Sequence, residues 1–181
     1  EAPDALRDVE NYYNEIDRPH VVVSLLTSTA KSPTGKLTMA ASNTFLFSEP
    51  HGQEPRVIHE MWDNNMHLVK FTRKITAGQS YTFSIAGTSI TSAHHDDPLN
   101  EAERLTLFAK LEGRERLMQF HRKAWEDLWT SDIIIEGDAS TQLEVRAMLY
   151  HLYAFTREGS TISLSPMGLS GLGYNGHVFW D

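Results

Sequence analysis

Cysteine is absent from the 181 residues, which excludes a disulfide scaffold, a thiolate zinc site and a cysteine nucleophile together. That absence says little about compartment, because many exported proteins also lack disulfides. Long apolar runs are missing too. The longest, at 21–23 and 133–135, are a few residues, far short of the roughly 20 needed to cross a bilayer. Basic charge is scarce: 16 Lys and Arg stand against 24 Asp and Glu, a formal charge of −8, with no basic run. Such a chain repels phosphate backbones, so neither nucleic acid nor membrane is an expected partner. What remains is an ordinary globular composition, 40% apolar and 22% charged. At this length, near the one-domain prior of roughly 150 residues, a core can be packed without staples.

The chain opens on Glu1 with neither an initiator Met nor an apolar leader, and stops on Phe179-Trp180-Asp181 without a polar tail. The beginning reads as missing or processed, and the end, stopping on buried-looking aromatics, as cut.

From about residue 21 to 90 the apolar pattern has period two, with β-branched and aromatic residues between turn signals. Tyr81, Phe83 and Ile85 fall on one face and Thr82, Ser84 and Ala86 on the other; Val69, Phe71 and Ile75 alternate with Lys70, Thr72 and Lys74. Turns are marked at 31–36, at 49–52 and at Asp63-Asn64-Asn65, whose side chains suit a hairpin loop. The spacing predicts five strands, over 21–28, 38–47, 56–62, 66–75 and 80–91. One-faced alternation in successive hairpins implies an antiparallel β-sandwich portion over 1–93.

The pattern changes at His94-His95-Asp96-Asp97-Pro98. Imidazole and carboxylate are metal ligands. Adjacent residues rarely converge on one ion, however, and an acid followed by Pro is a helix entrance, so capping outweighs a metal here. A helical linker, 94–138, follows. It has a helix from Glu101 to Trp129 broken near Gly113, one stripe at Leu105, Phe108 and Leu111, and another at Leu117, His121, Trp125, Leu128 and Trp129. Trp125 and Trp129, four apart, suit a core. After an extended run at 133–135, Thr141 and Glu144 have the spacing of a capping box. They open a helix from Gln142 to Arg157 with a buried face at Val145, Met148, Leu149 and Leu152, ended by Gly159.

The C-terminal stretch is glycine-rich. Gly171, Gly173 and Gly176 match the dinucleotide fingerprint in spacing, but a helix precedes them and the acid expected some 20 residues later is missing, so no cofactor is expected. Glycines there let backbone approach a ligand closely, and such loops line pockets. Trp180 beside Asp181 pairs a flat indole with a carboxylate. That combination covers the C–H face of a sugar and accepts hydrogen bonds from its hydroxyls. On spacing alone, core aromatics at Phe179 and Trp180 with Asp181 capping a following helix outweigh the sugar reading.

The stretch 165–181, Ser-Pro-Met-Gly-Leu-Ser-Gly-Leu-Gly-Tyr-Asn-Gly-His-Val-Phe-Trp-Asp, resembles glycoside hydrolase family 65. This family holds maltose, trehalose and kojibiose phosphorylases with acid trehalases and related α-glucosidases. Trp125 and Trp129, the segment 132–138, Gln142, Arg146 and Leu149-Tyr150-His151-Leu152 are similar to the linker and first barrel helix of its members. The match is strong from about 117 to 181 and only architectural before it. The resemblance implies a mixed fold, β then α: a β-sandwich portion, a helical linker, and over 139–181 the start of an (α/α)6 barrel. It further implies that Trp180 and Asp181 hold the non-reducing-end glucosyl unit, with Tyr174, His177 and Phe179 lining the pocket. No metal is implied. Nor is any catalytic residue within the chain, since the family's general-acid glutamate belongs to a later part of the barrel.

The expected function is therefore that of a fragment of an inverting α-glucoside-processing enzyme acting on an α-linked glucose disaccharide. The wording of 165–181 is closer to the hydrolytic branch than to the phosphorylases. Its partners would be glucose or the disaccharide and the remainder of the same polypeptide, and a homo-oligomer fits as well. A non-catalytic sandwich module that binds carbohydrate or protein is the alternative from another class.

Overall fold

The computed structural model describes residues 6–19, 21–50, 52–63 and 66–156. Antiparallel strands come first and helices second, so the fold is mixed, β then α. The chain divides into two compact units between Gln119 and Phe120.

In the first unit, β1 (Arg7–Arg18), β2 (Val21–Lys31), β3 (Thr38–Leu46) and β6 (Ser84–Thr91) form one antiparallel sheet in the order β1-β2-β3-β6. Between β3 and β6 the chain makes a separate hairpin of β4 (Ile58–Asp63) and β5 (Met66–Lys70). The alternation of Val23, Leu25 and Thr27 with Val22, Ser24 and Leu26 buries the first set, as period two requires. Ala40, Ser42, Thr44 and Leu46 of β3 continue the same face.

Strand β1 was not among the expected strands. Its sequence, RDVENYYNEIDR, is rich in charge and mostly exposed. Such a strand exists because it sits at the sheet edge on backbone pairing with β2, and charge there discourages pairing with another chain. The predicted runs at 66–75 and 80–91 shorten to β5 and β6. Residues 71–83 instead supply rings to an aromatic cluster, in which Phe71 lies edge-on to Phe45, Phe47 and Phe83 at 5.1, 4.8 and 4.9 Å. The face carrying Ile85 points outward, leaving that residue 63% exposed.

Helix α1 (Pro98–Leu128) is interrupted at Gly113, whose φ of 74° and ψ of 166° are open to glycine and costly for other residues. Asp97 caps its start: Oδ1 accepts from the Asn100 N–H at 3.1 Å. Of the expected stripe, Leu105 is half-buried, whereas Phe108 is 44% exposed. The buried positions are Pro98, Ala102 and Thr106, while Leu111 is 61% exposed. The sheet face explains the rotation. Thr106 donates to the Ser42 carbonyl at 3.1 Å and lies 3.0 Å from the Thr88 hydroxyl. Glu103 Oε1 accepts from Asn14 and Thr27 at 2.8 and 3.0 Å. A sheet surface carrying hydroxyls selects the small and polar side of the helix, because a buried hydroxyl without a partner is costly.

In the second unit, α2 (Ala139–Phe155) begins earlier than predicted. Asp138, not Thr141, is the N-cap, accepting from the N–H groups of Ser140 and Thr141 at 2.9 and 3.2 Å. The Thr141 hydroxyl donates to Asp138 at 2.7 Å, so no capping box forms. An aspartate that takes two amides and a hydroxyl outcompetes a threonine. Gly137, at φ 90°, makes the turn into this cap. Among the described residues no helix is long and apolar enough to cross a membrane.

Candidate functional site

The predicted sugar-binding pair, Trp180 and Asp181, and the pocket residues Tyr174, His177 and Phe179 lie outside the described residues, as do the glycines 171, 173 and 176 and the expected stop at Gly159. What the structure describes is the framework that leads toward them.

That framework is a zip between α2 and the segment before it. Gln142, Arg146 and Tyr153 recur at close to helical spacing on one side of α2. The Gln142 carboxamide bridges two backbone groups: Oε1 accepts from the Ile135 N–H at 2.6 Å and Nε2 donates to the Ile133 carbonyl at 2.9 Å. One turn later Arg146 directs both Nε and Nη2 to Asp132 Oδ2, at 3.1 and 2.6 Å. Tyr153 closes the row by donating to the Ser131 carbonyl at 2.9 Å. Successive turns of α2 therefore grip 135, 133, 132 and 131 in reverse order, so the segment lies antiparallel along the helix. Asp132 also takes its neighbour's amide, Ile133 N–H, at 2.8 Å.

Electrostatics reinforce this arrangement. The hydrogen bond from Arg146 holds the Asp132 carboxyl below the usual aspartate range. Asp138 is lowered as well, first by the Thr141 hydroxyl and then by the cap amides. Both stay ionised at neutral pH, as a charge-assisted grip and a negative N-terminal cap require.

The aromatic residues align with the zip. Trp125 stacks on Tyr150 at 5.0 Å and Trp129 lies edge-on to Tyr153 at 5.4 Å. Of the predicted buried face of α2, Val145 and Leu149 are half-buried but Met148 is 64% exposed and Leu152 points outward. The half-buried row is Gln142, Val145, Leu149 and Tyr153, a rotation set by the polar grips. Polar residues at positions 142 and 146 gave no hydrophobic signal, so periodicity alone did not find their role. Their spacing relative to Asp132 and to the run 133–135 was the available clue.

Among the described residues no group of three or more His, Asp or Glu side chains is arranged to hold a metal. The role these contacts support is positional: they fix the entry to α2 and the segment 131–135 along it.

No family model matches the chain. It is 61% identical over all 181 residues to a kojibiose hydrolase of Mucilaginibacter mallensis and 52% identical over the same length to a kojibiose hydrolase of Flavobacterium johnsoniae. It is 36% identical over 116 residues, 63% of the chain, to a nigerose phosphorylase of Lachnoclostridium phytofermentans, covering 15% of that protein. The chain spans 27% of the length of either hydrolase relative.

Proposed function

We propose, from the premise that this chain is of the glycoside hydrolase family 65 type, as its own wording and its relatives agree, that it is a region of an inverting α-glucoside hydrolase acting on a glucose disaccharide. The observation that carries the reading is identity with the two kojibiose hydrolases along the whole chain, at 61% and 52%. The phosphorylase relatives match shorter parts, 36% over 116 residues and 49% over 69 residues. Kojibiose is accordingly the first substrate to try.

In this reading residues 1–93 are a sandwich portion, 94–138 a linker and 139–181 the opening of an (α/α)6 barrel. Two antiparallel sheets in the first part support the division, and so do the outward apolar residues of α2, Leu143, Met148 and Leu152, which suit further helices. Trp180 covers the apolar face of the glucosyl unit and Asp181 accepts from its hydroxyls, with Tyr174, His177 and Phe179 around them. The zip on α2 fixes the start of the barrel that carries this pair.

Inversion needs two carboxyl groups roughly 6.5–9.5 Å apart, one giving a proton to the leaving oxygen and the other activating water on the opposite face of the ring. Both are assigned to sequence C-terminal to Asp181, and Asp181 itself to recognition. The intact protein, incubated with kojibiose with and without inorganic phosphate, tests the reading. It predicts free glucose at the same rate in both. A glucose phosphate formed only when phosphate is present would make the protein a phosphorylase instead.

A further inference from the structure

A cavity of about 230 Å³ opens in the first unit where β2 and β3 meet residues 52–57. Phe45 and Phe47, stacked 5.6 Å apart, form its apolar wall. Its polar lining comes from Glu15, Ser24, Glu54, Arg56 and Lys110. Lys110 donates to Glu54 at 2.6 Å, so these two charges are already engaged with each other. Glu15 Oε2 accepts from the Tyr13 hydroxyl at 2.8 Å, and Tyr13 also reaches Ser24 at 3.3 Å. Arg56 is exposed, and among the described residues its guanidinium has no hydrogen-bond or ion-pair partner.

Three properties narrow the occupant. Two carboxylates against two cations leave the lining neutral, which favours neither an anion nor a cation. The volume lies below the range of about 300–1,000 Å³ typical of sites for drug-sized ligands, so one small ring fits. Finally, phenyl faces beside a free guanidinium and a carboxylate match a molecule with an apolar C–H face and a rim of hydroxyls.

We propose that this cavity is a non-catalytic subsite for a single neutral hexose unit, its C–H face on Phe45 and its hydroxyls between Arg56 and Glu15. The ligand class follows from the cavity; that the hexose is a glucosyl unit rests on the proposed function. This cavity is lined by residues of the first unit alone, none of them among those assigned to recognition at 174–181.

The test titrates the ¹⁵N-labelled intact protein with methyl α-D-glucopyranoside, methyl α-D-galactopyranoside and sodium sulfate, followed by amide resonances. The expected result is a saturable shift at Ser24, Phe45 and Arg56 with the glucoside. Arg56→Ala should weaken it about tenfold, the loss of one charge-assisted hydrogen bond, with the rest of the spectrum unchanged. Shifts confined to 174–181 would overturn the subsite and leave the proposed function standing. Shifts at Arg56 with sulfate but not with a sugar would overturn it, as would undiminished affinity in Arg56→Ala. Response to the galactoside alone would keep the hexose subsite and remove the glucosyl assignment.

Discussion

Arg146 reaches back fourteen positions to Asp132 and places two nitrogens, Nε and Nη2, on the single oxygen Oδ2 at 3.1 and 2.6 Å. Because the ion pair lowers the Asp132 pKa, its contribution is complete above the unfolded value of about 3.9 and is lost as pH falls through the lower folded value. Asp132→Asn should therefore melt at a lower temperature than the parent at neutral pH. The difference should shrink toward zero as the solution is acidified below about pH 4. A gap in melting temperature that stayed constant down to acid would assign the loss to packing rather than to the charge.

Gln142 gives a second prediction. Gln142→Leu keeps the volume but strands the Ile135 amide and the Ile133 carbonyl, which the carboxamide joins at 2.6 and 2.9 Å. The expected cost is about 0.5–1.5 kcal/mol, the net worth of a hydrogen bond, since the Ile135 amide is partly buried while the Ile133 carbonyl is open to water, read as a lower urea midpoint with unchanged slope. Gln142→Glu should do nearly as badly, since a carboxylate accepts from Ile135 but cannot donate to Ile133.

The face of α1 that meets the sheet gives the third. Thr106 is fully buried and donates to the Ser42 carbonyl, so Thr106→Val should destabilise by about 1–2 kcal/mol despite its equal size. Leu111→Ser, at a position 61% exposed, should stay within about 0.5 kcal/mol of the parent. Reversal of these two results in chemical denaturation would restore the hydrophobic stripe as the packing face.

These two positions show how far the sequence could be read. Val23, Leu25 and Thr27 alternate along β2 because the sheet has one buried face, and period two reports that directly. Gly113 announced its break because a positive φ has a residue preference. Leu105, Phe108 and Leu111 misled, since an apolar stripe does not say whether its partner surface is apolar; here Thr27, Ser42 and Thr88 line that surface. Strand β1 escaped because its stability comes from an edge ladder with β2, which leaves little trace in RDVENYYNEIDR. Thr141 and Glu144 had the spacing of a capping box, but Asp138 lies closer to the helix start and takes the amides of Ser140 and Thr141. The proposed sugar-site residues, which lie outside the described residues, rest on the wording of 165–181 alone. The grips made by Gln142 and Arg146 depend on a segment folding back along α2, a tertiary fact that no local period encodes.

For the sugar pair, the intact protein provides the assay. If Asp181 accepts from sugar hydroxyls as proposed, Asp181→Asn should lower kcat/KM by about 10–100-fold while the fold and its melting temperature persist. Trp180→Ala should raise KM for the disaccharide by removing the ring under the glucosyl unit. Unchanged kinetics in both variants would place the glucosyl site elsewhere.

The most direct measurement follows the anomer first released when the intact protein cleaves kojibiose, by proton NMR before mutarotation. Inversion at an α-linked glucosyl unit predicts β-glucose from the non-reducing end as the first product. Appearance of α-glucose at that position would mean retention through a covalent intermediate, and would contradict the assignment of this chain to an inverting α-glucoside hydrolase.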